Sequence, residues 1–267
     1  MNSFTISEVF LDGQRLVVDL NNSTKNKDKT KHGTNLVATN MVNKIQNSAN
    51  THSIISSGNT MHIKSLANPN MFEIVAKQDR KLLNVIGVIP GQIITKKRTE
   101  QARIYNGRVI ANEHKNLAKL AVIERHHMTG NIGLGFVQGL GLNKGAIASS
   151  VAHDSHNLVV AGMNDIDMMI VARHISSIGG GLAVAEGGQV KATMSHPIAG
   201  LMSEKPTEYV IEEIRSLNKA YQKLGNVVKN PFMLLSFLTL PVIPSLKLTD
   251  RGLVDVDRFQ FTKLWLE

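Results

Sequence analysis

The stretch Gly145-Ala-Ile-Ala-Ser-Ser-Val-Ala-His-Asp-Ser-His-Asn157 constrains this chain more than any other. Gly145 to Ala152 reads as a strand of small residues, able to approach neighbouring backbone closely. His153, Asp154, Ser155 and His156 then follow in a row before the apolar run Leu158-Val159-Val160-Ala161. Two imidazoles and a carboxylate between two buried strands are costly unless they are paired or chemically employed. The fold must therefore bring this loop to an edge of the sheet, and chemistry is expected there.

A chain of 267 residues can bury a sizeable core in one or two domains. It contains no cysteine, which excludes disulfides, thiolate metal sites and a thiol nucleophile. The start, Met-Asn-Ser-Phe-Thr-Ile-Ser-Glu, has neither a basic nor an apolar leader region, and no apolar run reaches the ~18–20 residues of a membrane span. A cytoplasmic protein with no membrane partner is expected. The net charge of +9 is uneven: residues 1–116 hold 16 Lys/Arg against 8 Asp/Glu, and residues 117–267 hold 14 against 13. Aromatic residues are 4% of the chain and do not interleave with the charges, as single-strand stacking would require. The basic clusters, Lys25 to Lys31 and Lys96-Lys97-Arg98, read as solvated surface, with no nucleic-acid partner.

The local pattern alternates hairpins with a few helices. Phe4 to Val18 reads as a hairpin around Asp12-Gly13. Residues 21–68 form a polar connection with three scattered histidines, His32, His52 and His62, and 21–60 are expected to be the least ordered part. From Met71 onward, Phe72-Glu73-Ile74-Val75 reads as a strand by alternation. Val85 to Ile89 is a buried strand, and Pro90-Gly91 turns the chain into Ile93-Ile94-Thr95. Ile104 to Ile110 is a hairpin around Asn106-Gly107, and Leu117 to Ile123 is a strand ending at Glu124-Arg125-His126-His127. The passage from Gly130 to Gly145 contains Gly133-x-Gly135-x-x-x-Gly139, which misses the dinucleotide fingerprint by one position. It reads instead as closely packed strands and turns.

Asn164 caps a helix whose first turn carries Asp165 and Asp167, which continues to Ile178 and stops at Gly179-Gly180-Gly181. A hairpin turns around Gly187-Gly188. Pro206 starts the clearest helix, with Val210, Ile214, Leu217, Tyr221 and Leu224 as its apolar stripe. Asn230-Pro231 opens a short apolar helix, and short strands complete the chain. The fold class is α+β, a mixed and hairpin-rich β-sheet with a few packing helices.

Two polar groups are the candidate site: Glu124, Arg125 and His126 (with His127), and His153, Asp154 and His156. If their strands are neighbours of the same polarity, both groups meet at one rim. His153 and His156 are three apart, so on a strand they face opposite ways and only a turn aligns them. They are the candidate metal ligands; a metal-free site and a structural hydrogen-bond network are the competing readings.

Val85-Ile-Gly-Val-Ile-Pro-Gly-Gln-Ile-Ile-Thr95, Val122-Ile-Glu-Arg-His126 and Gly130-Asn-Ile-Gly-Leu-Gly-Phe136 resemble the C-terminal region of bacterial adenine deaminases. So do Ser149-Ser-Val-Ala-His-Asp-Ser-His-Asn157, Pro197-Ile-Ala-Gly-Leu-Met-Ser203 and Leu246-Lys-Leu-Thr-Asp-Arg-Gly-Leu-Val254. The resemblance covers roughly 60–267, and Phe4 to Val18 resembles the hairpin by which that family's chain leaves its barrel. It implies domains of 1–20 (remnant of the small β domain), 21–68 (connection) and 69–267 (C-terminal domain). It further implies an amidohydrolase-superfamily hydrolase of purine metabolism, converting adenine and water to hypoxanthine and ammonia with manganese or iron. Those metals sit in a (β/α)₈ barrel of ~250 residues whose first ligands form His-x-His. No His-x-His occurs in this chain, so no family metal ligand is assigned. No cofactor is expected for the chain alone; it reads as a truncated or split portion. The implied partners are adenine, a separate or missing barrel, and further copies in a homo-oligomer. The alternatives are a non-catalytic oligomerisation or scaffold domain, and a self-sufficient metal hydrolase built on His153, Asp154, His156 and Glu124.

Overall fold

The computed structural model describes residues 9–11, 14–16, 61–63, 66, 68–76, 81–225 and 228–266. The chain divides into two units, Met1–Ser53 and Ile54–Glu267. In the first, β1 (Val9–Leu11) pairs antiparallel with β2 (Gln14–Leu16), Val9 opposite Leu16. This is the hairpin expected around Asp12-Gly13. His32, His52 and the polar segment 21–60 lie outside the described residues.

The second unit is built on an eight-stranded mixed sheet. In chain order its strands are β3 (Leu82–Val88), β4 (Thr95–Gln101), β7 (Leu117–Ile123), β8 (Ile132–Gln138), β9 (Ala146–Ser149), β10 (Leu158–Gly162), β11 (Gly181–Glu186) and β12 (Gln189–Ser195). A small hairpin of β5 (Arg103–Tyr105) and β6 (Arg108–Ile110) lies between β4 and β7 in the chain. The spatial order is β12-β11-β9-β10-β7-β8-β3-β4. Every pairing is antiparallel except β3 with β8. Three helices, α1 (Asp165–Ser177), α2 (Thr207–Gln222) and α3 (Pro231–Phe237), and a three-stranded sheet of β13 (Leu246–Thr249), β14 (Gly252–Asp255) and β15 (Gln260–Thr262) complete the unit. The α+β expectation holds.

Both faces of the sheet are covered, which explains why β7 and β10 read as unbroken apolar runs. Leu120, Val122, Val159 and Val184 point to one face and pack with Leu217 and Tyr221 of α2, Leu235 of α3 and Leu246 of β13. Ala121, Ile123, Val160 and Ala183 point to the other and pack with Met168, Val171 and Ile175 of α1. The small residues of β9 are accounted for here: Ala146 and Ala148 lie under α1, where larger side chains would push the helix off the sheet. Gly133 serves close approach of a different kind. A Cβ at this position would stand 1.8 Å from the Thr249 carbonyl oxygen, so the glycine lets β8 pass beneath the β13–β14 turn.

Buried charges tie the layers together. Lys119, on β7, donates to both Asp165 carboxylate oxygens at 2.6 and 2.9 Å and to the Phe72 carbonyl at 3.0 Å. Asp167 accepts from the Gly188 and Gly187 amides at 2.7 and 3.2 Å, so it joins the start of α1 to the β11–β12 hairpin. Asn164 caps α1 as expected, accepting from the Asp167 amide at 2.8 Å.

Local departures from the sequence reading have identifiable causes. Residues 69–72 form a 3₁₀ turn, with Asn68 accepting from the Asn70 amide and Pro69 starting the helix; only Val75 beyond it makes a β-bridge, to Arg108. The alternation Phe72-x-Ile74 survives as two buried side chains without a strand. On α2 the expected stripe is buried at Leu217 and Tyr221, whereas Ile214 is 43% exposed. In the first half of that helix Val210 is only partly buried against the same core. No helix among the described residues is long and apolar enough to cross a membrane.

Lys247 of β13 is fully buried, and its ammonium donates to the Ile93 and Phe237 carbonyls, each at 2.9 Å. Burial lowers its pKa to about 8, below the ~10.4 of an unfolded lysine. The folded state therefore sheds this proton first, and stability rises with pH through the window from about 8 to ~10.4. In chemical denaturation, the wild type should gain on Lys247→Met by up to about 3 kcal/mol across that window. Parallel stability curves for the two proteins would show that the ammonium is not desolvated.

Candidate functional site

The sheet topology assembles the site at one end. Ile123 pairs with Leu158, and Val159 pairs with Ser149, so the end of β7, the end of β9 and the start of β10 are level. The two strands that precede the polar groups are parallel to one another but are not neighbours; β10 lies between them. That corrects the simplest sequence picture while leaving its consequence intact, since two antiparallel steps restore the same polarity. Gly181 pairs with Ser195 at this same end, so the segment after β12, beginning at His196, leaves the sheet here too. Asp250, in the β13–β14 turn, completes the rim by accepting from Asn131 at 3.3 Å and Asn157 at 3.4 Å.

Arg125 is the centre of the rim. It is 2% exposed, and its Nε donates to the His156 carbonyl while Nη2 donates to the Ala199 carbonyl at 3.0 Å. Its backbone amide donates to Asn157 Oδ1 at 3.3 Å, and its carbonyl accepts from the His62 amide at 2.8 Å. Gly200 lies directly over the guanidinium. A Cβ there would stand 2.9 Å from Nη1, and the backbone has φ +72°, so both space and conformation call for glycine. Burial lowers the Arg125 pKa, opposed by Glu124, to about 10; the group stays charged at neutral pH. Three loops are thus joined through one cation.

Glu124 organises the loop that follows. Burial works to raise its pKa, but the Thr129, His126 and His127 amides and the Thr129 hydroxyl all donate to the carboxylate and hold it at about 2. At neutral pH it is an anion with both oxygens engaged. It positions residues 126–129 and is unsuited to act as a proton donor.

His126 and His156 hold the same tautomer. The His126 Nε2 lies 2.8 Å from the Ser155 carbonyl, so Nε2 carries the proton and Nδ1 the lone pair. His156 Nδ1 accepts from the Ala152 amide at 3.3 Å, which places its proton on Nε2. Burial lowers the pKa of both; Arg125 adds to this at His126, and His153 and then Arg125 at His156. The rings of His153 and His156 are 5.7 Å apart and nearly perpendicular, and His153 also lies 4.7 Å from the Phe237 ring. His126, His127, Asp154 and Ser155 are exposed, and His153 is half-buried.

The rim does not fit a metal ion of its own. Among the described residues no group of three His, Asp or Glu side chains is close enough to hold one. Neutral His156 has no lone pair to offer once Nδ1 accepts from Ala152, and the Glu124 oxygens are occupied. The manganese or iron implied by the resemblance therefore has no built site among these residues. What the rim presents is the neutral imidazoles of His126 and His156, with the His127 and His153 rings and the Asp154 side chain beside them, on a rigid base.

Three residues at this end were not singled out from sequence. Ala199 and Gly200 complete the Arg125 clamp, although only their place in Pro197 to Ser203 was legible. His196 is 6% exposed and its Nδ1 has no hydrogen-bond partner; burial lowers its pKa while Glu213 opposes this. No periodicity marks a lone histidine at a strand end as buried.

The family model for the adenine deaminase C-terminal domain matches residues 92–260. The chain belongs to that family. It is 50% identical over 214 residues to an adenine deaminase of Oleidesulfovibrio alaskensis, a match covering 80% of this chain and 37% of the relative. It is 52% identical over 203 residues to adenine deaminase 2 of Carboxydothermus hydrogenoformans, covering 75% and 35%. An adenine deaminase of Clostridium botulinum is 40% identical over 210 residues, covering 78% and 35%. The chain thus spans little more than a third of the length of these adenine deaminases.

The Glu124 arrangement has a pH signature. Its folded pKa of about 2 lies below the 4.5 of a free glutamate. Its contribution is therefore complete above pH ~4.5 and lost as the pH falls towards ~2. Glu124→Gln should flatten the acid limb of the stability curve and cost on the order of 2 kcal/mol at pH 7, because one face of the amide now opposes N–H donors. An unchanged acid limb in urea titrations would refute the assignment.

Proposed function

We propose that this chain supplies the C-terminal domain of an adenine-hydrolysing enzyme, adenine and water giving hypoxanthine and ammonia. The water-activating metal centre belongs to a barrel that the described residues do not form, and this domain presents its His126/His153 rim to that active-site mouth. The observation that carries this reading is the clamped rim itself. A rigid, polar, partly exposed cluster is built at one end of the sheet without any metal site, in a chain that belongs to the adenine deaminase C-terminal domain family.

The chemistry divides accordingly. Attack on C6 of the purine needs a nucleophilic water, which a metal supplies by lowering the water pKa to ~7. The residues here can hold or pass a proton at His126 Nδ1, exclude water and orient the loop against a neighbouring surface. The reading places the protein in purine metabolism in the cytoplasm, as a hydrolase subunit or domain within a homo-oligomer. The self-sufficient hydrolase has no support in the rim, since its proposed ligands Glu124 and His156 are already engaged. A docking role finds its observation in the exposed aromatics Phe259 and Phe261, 83% and 60% exposed beside the Asp250 turn. They supply an apolar surface compatible with a partner domain.

The test is reconstitution. The purified chain, with manganese or ferrous iron, should release ammonia from adenine no faster than a buffer control. Addition of a separately expressed family barrel should restore turnover, and His126→Ala or His153→Ala should lower the restored kcat by about tenfold or more. Metal-dependent turnover by the chain alone would overturn this division of labour.

A further inference from the structure

A cavity lies beside α3, which also packs against the His153 loop. It has a volume of about 570 Å³ and is lined by the Pro90 to Ile93 turn and by residues around α3, including Lys229, Asn230, Met233 and Phe237. The size is within the ~300–1,000 Å³ of small-molecule sites. Its walls are mainly apolar, with Ile93 and Met233 left 44% and 55% exposed. The Gln92 and Asn230 carboxamides make no side-chain hydrogen bond to any described residue, which leaves a donor and an acceptor on each.

Lys229 lies in the wall of this cavity, and Lys247, which does not line it, stands behind that wall. The Lys247 ammonium donates to the carbonyls of two lining residues, Ile93 and Phe237. No carboxylate among the described residues pairs with it. Lys229 adds an exposed cation at the cavity itself. An apolar slot with an aromatic wall, two amide groups and the Lys229 ammonium selects a flat heterocycle carrying an anionic group.

We propose that this cavity binds a purine nucleoside monophosphate. The base lies against Ile93, Met233 and Phe237, the carboxamides of Gln92 and Asn230 read its edge, and the phosphate meets Lys229. Carboxamides complement the donor–acceptor edge of adenine well. The cavity is coupled to the rim, because the same Phe237 ring packs 4.7 Å from His153 and the Ser236 carbonyl accepts from the His153 amide at 3.1 Å. A ligand that fixes Phe237 therefore restrains the His153 loop, and the site is regulatory. The choice of a purine among flat heterocycles rests on the proposed reaction; the cavity does not, and binding can be read without turnover.

Calorimetric titration of the full chain with adenosine 5′-monophosphate, adenosine and inorganic phosphate tests the proposal. The monophosphate should bind saturably at one site and shift the His153 imidazole resonances in NMR spectra. Lys229→Ala should weaken the monophosphate about tenfold and leave adenosine unchanged, whereas Gln92→Ala should weaken both about fivefold. Both side chains are exposed, so the variants should fold; matching melting curves check this. Absence of saturable binding to the wild type overturns the site, as do variants that bind like the wild type. Phosphate competing as well as the monophosphate overturns the purine assignment. A chain that binds the nucleotide but fails to restore deamination with a barrel would retain the site and reject the reaction.

Discussion

One buried guanidinium holds the functional end of this molecule together. Placing a cation where water cannot reach it costs several kcal/mol unless neighbouring oxygens replace its hydration. Around Arg125 those oxygens come from loops far apart in sequence, the His156 carbonyl and the Ala199 carbonyl. The cost of leaving the charge unsatisfied forces both loops inward. The histidines are thereby set on a base that cannot relax independently of the sheet. Gly200 is part of the same constraint, because any side chain there would occupy the space the guanidinium needs.

Charge in this protein is used chiefly to join layers rather than to decorate a surface. Lys119 fastens α1 and the 69–72 turn to the sheet, and Asp167 fastens α1 to a hairpin. Lys247 ties the β3–β4 turn to the end of α3. Each buried ion is satisfied by more than one partner, the condition under which such groups specify one arrangement instead of merely destabilising it. The edge strand β4 shows the complementary use. Its Lys96, Lys97 and Arg98 face outward, and Lys97 pairs with Asp255 at 2.9 Å, which discourages edge-to-edge pairing.

The rim and the cavity beside α3 divide the domain's chemistry. The rim offers the neutral imidazoles of His126 and His156 in one defined tautomer on a fixed base. The cavity offers a mainly apolar slot with Lys229 in its wall. Phe237 belongs to both, as a wall of one and a ring neighbour of a rim histidine.

Local rules carried much of the fold into the sequence. Asp12-Gly13, Asn106-Gly107 and Gly187-Gly188 mark hairpins because few other residues adopt those turns, and Asn164 and Asn230-Pro231 mark helix starts by capping and fixed φ. The apolar runs at 117–123 and 158–161 announce strands buried on both faces. The two polar groups were legible as a site because charge beside buried strands needs a reason. Strand order was not legible, since every antiparallel neighbour satisfies the same apolar pattern; only packing placed β10 between β7 and β9. Nor was the division of roles, in which Glu124 and His156 spend their lone pairs on backbone amides. Phe72 to Val75 alternated like a strand, yet Phe72 closes a 3₁₀ turn over 69–72 and only Val75 bridges, because Asn68 and Pro69 satisfied a helix start first. The sequence by itself determined which apolar runs would form buried strands and where the chain would turn. Tertiary structure alone decided which oxygens reach Arg125 and Lys247, because those contacts join positions 10 to 154 residues apart and depend on geometry that no local pattern encodes.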